Sequence, residues 1–139
     1  MNSQPHKVAA FFDMDRTVVL CNTGRVYFDD MRARGQLKFR EVLALSAILV
    51  RYKFSMIDMG RVMGQAAKQL AGEPEQHMVD RCQSLFDQEV VPQISQAAVE
   101  AIEGHRHLGH RIALLSASTN YMVEPLCRHL GIADFICTR

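Results

Sequence analysis

Two carboxylates one residue apart, Asp13 and Asp15, follow the apolar run Val8-Ala9-Ala10-Phe11-Phe12 and precede Arg16 and Thr17. Alternation along an extended segment puts side chains two residues apart on the same side of the backbone. Such a pair can divide a group transfer, one carboxylate attacking in line and the other serving the leaving oxygen. A calcium-loop reading of Asp13-x-Asp15-x-Thr17 fails, because its sixth position is Val18 rather than Gly and its twelfth is Gly24 rather than Glu.

A second apolar run, Arg111-Ile112-Ala113-Leu114-Leu115, ends in Ser116-Ala117-Ser118-Thr119. A hydroxyl at Ser116, with a backbone N–H near the start of a following helix, suits an anion. Ser118 is the alternative to Ser116, but it stands two residues past the expected strand end and is better placed as part of a helix cap. Either motif alone would also suit a plain turn or a plain cap. Both following apolar strands in a consistent order is what points to a site.

The elements that must position these residues follow from periodicity and punctuation. The spacing predicts a strand over Val8 to Phe12, a loop at Cys21-Asn22-Thr23-Gly24, and helices over Leu37 to Phe54 and Met56 to Leu70, the latter closed by Gly72. A third helix runs from Pro74 to Val90, where Pro92 stops it. Another runs from Ile94 to Leu108, broken by Gly109; the second strand follows, then a helix to Leu130 closed by Gly131, then a third strand over Ile132 to Cys137. The order suits α/β crossovers with an all-helical insertion after the first strand. In an open parallel sheet of this kind ligands bind outside the carboxyl ends of the strands, which is where Asp13, Asp15 and Ser116 fall.

The other clusters read as structure. His105, His107 and His110 straddle a helix end, where cationic or polar residues are favoured, and no Cys pair accompanies them as in a zinc site. Met56, Met59, Met63 and Met78 recur near helical spacing and read as core of the helical block.

With 139 residues, 48% hydrophobic and 22% charged, the chain can bury one core, and a formal net charge of +1 argues against nucleic acid as a partner. Arg32, Arg34, Lys38 and Arg40 are interleaved with apolar residues and read as one helix face rather than a basic patch. Cys21, Cys82, Cys127 and Cys137 form no Cys-x-x-Cys pair, so they read as reduced thiols of a cytoplasmic protein. The apolar stretch Val42 to Val50 is about half of the ~20 residues a membrane span needs.

The words AAFFDMDRT, GHRIALLSAS and VEPLCRHLGIADFICTR together resemble the haloacid dehalogenase (HAD) superfamily, most closely its phosphoserine-phosphatase-like branch. The resemblance spans nearly the whole chain. It implies an α/β fold, a HAD-like Rossmannoid parallel sheet of about three strands here, with residues 1–19 and 92–139 as catalytic core and 20–91 as a helical cap. It implies a Mg²⁺-dependent phosphomonoester hydrolase acting on a small phosphorylated metabolite. Asp13 would be the nucleophile that forms an aspartyl-phosphate and Asp15 the general acid and base. Ser116, Ala117 and Met14 would bind the phosphate, and Mg²⁺ would be held by the Asp13 carboxylate and the Asp15 carbonyl. Arg16 stands where much of the superfamily has Gly, and Asn22 where phosphoserine phosphatases carry a substrate-binding Glu.

The family's set also includes a Lys after the third strand and an acidic pair after the fourth, and the sequence reaches Arg139 before either. The expectation is therefore the N-terminal part of a longer phosphatase, with the first strand left as an apolar sheet edge open to self-association. The alternative is a catalytically silent protein that binds a partner through that edge.

Overall fold

The structure, a computed structural model, describes residues 8–36 and 74–138. The helices expected over Leu37–Phe54 and Met56–Leu70, with Met56, Met59 and Met63, lie outside the described residues.

Strand β1 is Ala9–Asp13, β2 is Arg111–Thr119 and β3 is Asp134–Thr138. They form one parallel sheet in the order β1-β2-β3, with Phe12 opposite Leu114 and Leu114 opposite Phe135. The helices are α1 (Thr23–Ala33), α2 (Glu75–Leu85), α3 (Gln96–His107) and α4 (Asn120–Leu130). This is the α/β arrangement that the strand-helix order implied.

The two faces of the sheet differ. Ala10 and Leu114 are buried, and Phe12, Ile112, Phe135 and Cys137 pack against a core supplied by Phe86, Val90, Ile102, Met122, Val123 and Leu126. On the other face Phe11 is 63% and Ile136 70% exposed, and Leu115 is exposed as well. Among the described residues β1 pairs only with β2.

Two compact units divide the chain, one of residues 1–27 with 78–139 and one of residues 28–77. In the first, the segment leaving β1 is tied to the segment returning toward α3. Leu20 N–H donates to Gln93 O at 2.8 Å and Ser95 N–H to Val18 O at 2.9 Å, with an antiparallel bridge between Val19 and Ile94. Residues 20 and 93 therefore meet at a narrow stem. In the second unit, Arg34 Nε lies 2.9 Å from Asp30 Oδ1 one helical turn away.

Three local readings need correction. The segment read as loop at Cys21-Asn22-Thr23-Gly24 opens α1: Asn22 Oδ1 accepts from Arg25 N–H at 2.9 Å, as an N-cap does. The helix expected to reach Val90 is α-helical only to Leu85, becomes a π-turn over Phe86–Val90, and Pro92 sits inside the 3₁₀ turn Val91–Gln93. Leu85, Phe86 and Val90 are all buried across that change. The second strand continues to Thr119, four residues beyond its apolar part. Of the three glycine stops Gly72 lies outside the described residues, and the other two hold, Gly109 and Gly131 lying at φ +70° and +64° where a residue with a side chain would be strained.

Candidate active site

Asp13 is the last residue of β1 and is exposed; Asp15 is half-buried two residues on. Between them Met14 is wholly buried, so its side chain belongs to the core and only its backbone can meet a ligand. The chain then makes one wide turn. Val18 N–H bonds back to Asp13 O at 3.2 Å and Val19 N–H to Met14 O at 3.0 Å, each spanning five residues, while Arg16 N–H donates to Cys21 O at 3.1 Å. Val18 and Val19, fully buried beneath, anchor this turn to the core. Arg16 is held at φ +61°, the left-handed region that residues other than glycine rarely adopt.

The two carboxylates are held differently. Asp15 Oδ1 accepts from Thr23 N–H at 2.8 Å and Asp15 Oδ2 from Ser118 Oγ–H at 2.9 Å. Thr23 is the first residue of α1, so its N–H is one of the helix's four amides without an intrahelical partner, and a carboxylate is well placed there. Thr23 Oγ1 lies 2.7 Å from Ser118 Oγ. With the Ser118 hydroxyl hydrogen committed to Asp15, the Thr23 hydroxyl must be the donor, giving a relay from Thr23 through Ser118 to Asp15. Asp13 has one long contact, Thr17 Oγ1 to its Oδ2 at 3.4 Å. Its Oδ1 has no partner among the described residues.

A bulge in β2 brings Ser118 to Asp15. Opposite β3 the register runs from Leu115 with Ile136 to Thr119 with Thr138, so β2 advances four residues while β3 advances two. The surplus pushes Ser116, Ala117 and Ser118 out of regular pairing, as bulges do where a side chain is re-aimed. Ser118 N–H donates to Ser116 Oγ at 3.1 Å, leaving the Ser116 hydroxyl hydrogen free to donate elsewhere. Thr138 Oγ1 holds the Ala117 carbonyl at 2.9 Å.

The expected capping role of Ser118 is therefore wrong. Thr119 occupies the N-cap of α4 and makes no side-chain cap bond, while Ser118 is strand and faces Asp15. Likewise the Ala117 amide is not at the helix start, which is Asn120. Asp13 and Ser116 share the carboxyl end of the sheet, since Asp13 pairs with Leu115. Thr23, which the sequence marks only as a loop residue, belongs to the site through its contacts with Asp15 and Ser118. It is buried to 1% exposure, and a polar residue next to an Asn that caps a helix was its only sequence signal.

Nearby, burial and then the Asp15 and Glu89 charges push the Cys21 thiol above its ordinary range, against a backbone hydrogen bond that lowers it. Away from the site, His105 and His110 join Nδ1 to Nδ1 at 2.8 Å and His107 Nδ1 meets Glu103 O at 2.8 Å, so these histidines close the end of α3. Among the described residues no three His, Cys, Asp or Glu side chains gather as a metal cluster, and the four cysteines are free.

The model of the haloacid dehalogenase-like hydrolase family matches residues 10–139, almost all of the chain. The chain belongs to that family. It is 26% identical over 136 residues to a probable phosphatase of Mycobacterium tuberculosis, covering 96% of this chain and 47% of that protein. It is 19% identical over 134 residues to a histidinol-phosphatase of Neisseria meningitidis, covering 96% and 60%. Among solved structures, a protein of unknown function from Bordetella pertussis superposes with a TM-score of 0.79 at 19% identity, covering 94% of this chain and 59% of that one. A phosphoserine phosphohydrolase-like protein from Francisella tularensis gives 0.60 at 14% identity, covering 94% and 57%. These likenesses bear out the HAD-like fold. The chain spans about half the length of the Mycobacterium relative. No helix among the described residues is long and apolar enough to cross a membrane.

Proposed function

We propose that this chain carries the nucleophile and the acid of a phosphomonoester hydrolase. The observation behind this reading is the unequal holding of the two carboxylates. Asp13 is exposed with one oxygen that has no partner among the described residues, whereas Asp15 is fixed by Thr23 N–H and Ser118 O–H. A nucleophile needs a free lone pair, and an acid-base group needs a fixed position.

In the proposed reaction an Asp13 oxygen attacks phosphorus, the ester P–O bond breaks, and the departing oxygen takes a proton from Asp15. The product is an aspartyl-phosphate on Asp13. Water then attacks that phosphorus, giving its proton to the Asp15 carboxylate, and inorganic phosphate leaves Asp13 free. Each oxygen of Asp15 accepts one hydrogen bond and keeps a second lone pair for that proton. Ser116, through its free hydroxyl hydrogen, and the backbones of Ala117 and Met14 would hold the phosphoryl oxygens. Ser118 and Thr23 would position Asp15 rather than touch substrate.

The donor chemistry fits Mg²⁺, which takes hard oxygen ligands. The Asp13 carboxylate and the Asp15 carbonyl, which takes no part in the turn's backbone hydrogen bonds, would hold it. When bound, the ion neutralises phosphate charge. In this reading the chain supplies the nucleophile, the acid and two of the ligands of an enzyme whose relatives are longer than the part it covers, 47% of the Mycobacterium protein and 59% of the Bordetella protein.

The substrate would be a small phosphorylated metabolite, chosen by a cap formed from residues 20–91, and the names of the Mycobacterium and Neisseria relatives favour phosphate esters. A second reading, a catalytically silent protein that associates through the edge of β1, is favoured by that edge having no partner strand among the described residues and by exposed Phe11. Sedimentation separates them: a monomer that turns over phosphate esters supports the enzyme alone. For the enzyme, Asp13→Asn removes turnover of p-nitrophenyl phosphate while the circular dichroism spectrum is unchanged. Near-normal turnover in a folded Asp13→Asn protein excludes Asp13 as nucleophile.

A further inference from the structure

The turn that carries both carboxylates also carries a cation that neither of them uses. Arg16 follows Asp15 directly, is exposed, and its guanidinium makes no hydrogen bond or ion pair among the described residues. Its neighbours are spoken for, since Asp15 has both oxygens bonded to Thr23 and Ser118 and Asp13 leans on Thr17. Five donors in a planar fork, matched to carboxylate or phosphate, are left facing solvent.

The backbone under this side chain is unfavourable. Arg16 sits at φ +61°, where a glycine would be unstrained, and the bond from its N–H to Cys21 O helps keep it there. Nothing in the packing of the turn requires an arginine, because the buried anchors are Met14, Val18 and Val19. A strained, unpaired arginine beside a reactive pair is what a ligand contact looks like before the ligand arrives.

We propose that Arg16 recognises a second anionic group, a carboxylate or another phosphate, on the alcohol part of the substrate. The assignment rests on the phosphomonoesterase reading above and deepens it. The phosphoryl group is already served by Ser116 and the strand-end backbone, whereas Arg16 adjoins Asp15, the group assigned to the leaving oxygen. A long cationic side chain one residue along from the leaving-group acid can reach what the leaving group carries. The substrate class is therefore a phosphomonoester with a second anion close to the ester oxygen.

The test is calorimetric binding in an Asp13→Asn background, which suppresses turnover, with two probes of the same skeleton. 3-Phosphoglycerate has a carboxylate where glycerol 3-phosphate has a hydroxymethyl group. A charge-assisted fork contact corresponds to a preference of about tenfold or more for 3-phosphoglycerate. Arg16→Ala should reduce that preference to about twofold or less, and Arg16→Lys should keep part of it. Arg16→Gly, which suits the left-handed backbone, should lose the preference equally while raising the melting temperature, and this separates lost recognition from lost folding. Equal binding of the two probes with Arg16 present, or a preference that survives Arg16→Ala, overturns the assignment and leaves the phosphatase reading standing. Binding of neither probe overturns both.

Discussion

Replacing Ser118 by alanine tests the relay that holds Asp15. Ser118 Oγ lies 2.9 Å from Asp15 Oδ2 and 2.7 Å from Thr23 Oγ1. A hydrogen bond to a carboxylate contributes about 1.5–3 kcal/mol, and a buried hydroxyl left without an acceptor costs about 1–3 kcal/mol. Asp15 keeps its bond from Thr23 N–H and is part-exposed, which discounts the sum, so the expected loss is about 2 kcal/mol. Thr23→Val keeps the shape of the side chain and leaves the Ser118–Asp15 bond intact, so it should cost only about 1 kcal/mol. Once Ser118 is gone the Thr23 hydroxyl has nothing to bond, and the double variant should cost about 2 kcal/mol, less than the sum of the singles. Urea unfolding of the four proteins reads this directly, with a midpoint drop of about 1 M for Ser118→Ala at an ordinary denaturant slope. If Ser118 merely capped α4, its loss would add to that of Thr23→Val. Additivity, or a midpoint shift below about 0.2 M, refutes the relay.

Two further predictions rest on separate observations. Asp15→Asn should slow hydrolysis of alkyl phosphates far more than of aryl phosphates with good leaving groups, because an acid helps most when the departing oxygen is basic; equal losses in a comparison of the two substrate types count against Asp15 as the acid. Burial first, with Cys137 and Glu124 adding, pushes the Cys127 thiol up to about 11. Iodoacetamide at pH 8 should therefore spare Cys127 in the folded protein, where only about one thiol in a thousand is ionised. The unfolded chain loses that proton at an ordinary thiol pKa, near 9.0, and the folded chain keeps it to about 11. Stability should thus fall as pH rises through that window, and Cys127→Ala should flatten the slope in alkaline unfolding curves.

Much of the frame was legible because its signals are local. Apolar runs marked β1 and β3 to within two residues at each end, and Gly109 and Gly131 marked the ends of α3 and α4 through a backbone conformation that only glycine takes easily. The spacing of Asp13 and Asp15 pointed to the site for the same reason. What escaped is non-local or contrary to local preference. The polar continuation of β2 has no periodicity, and its bulge exists only because β3 lies alongside. Gly24 in the first turn disguised the start of α1, and with it Thr23. The contact between Thr23 and Ser118 joins residues 95 apart in the chain, and no spacing rule connects them.

If Asp13 accepts the phosphoryl group, the covalent intermediate can be trapped on it. The intact protein with Mg²⁺ is mixed with ³²P-labelled phosphate ester, quenched in acid within the first turnover, digested, and the labelled peptide sequenced. The label should appear on Asp13, be released by hydroxylamine as an acyl phosphate is, and be absent from Asp13→Asn. Hydroxylamine-resistant label on Ser116 or Ser118, or rapid turnover with no covalent label at any quench time, would contradict it.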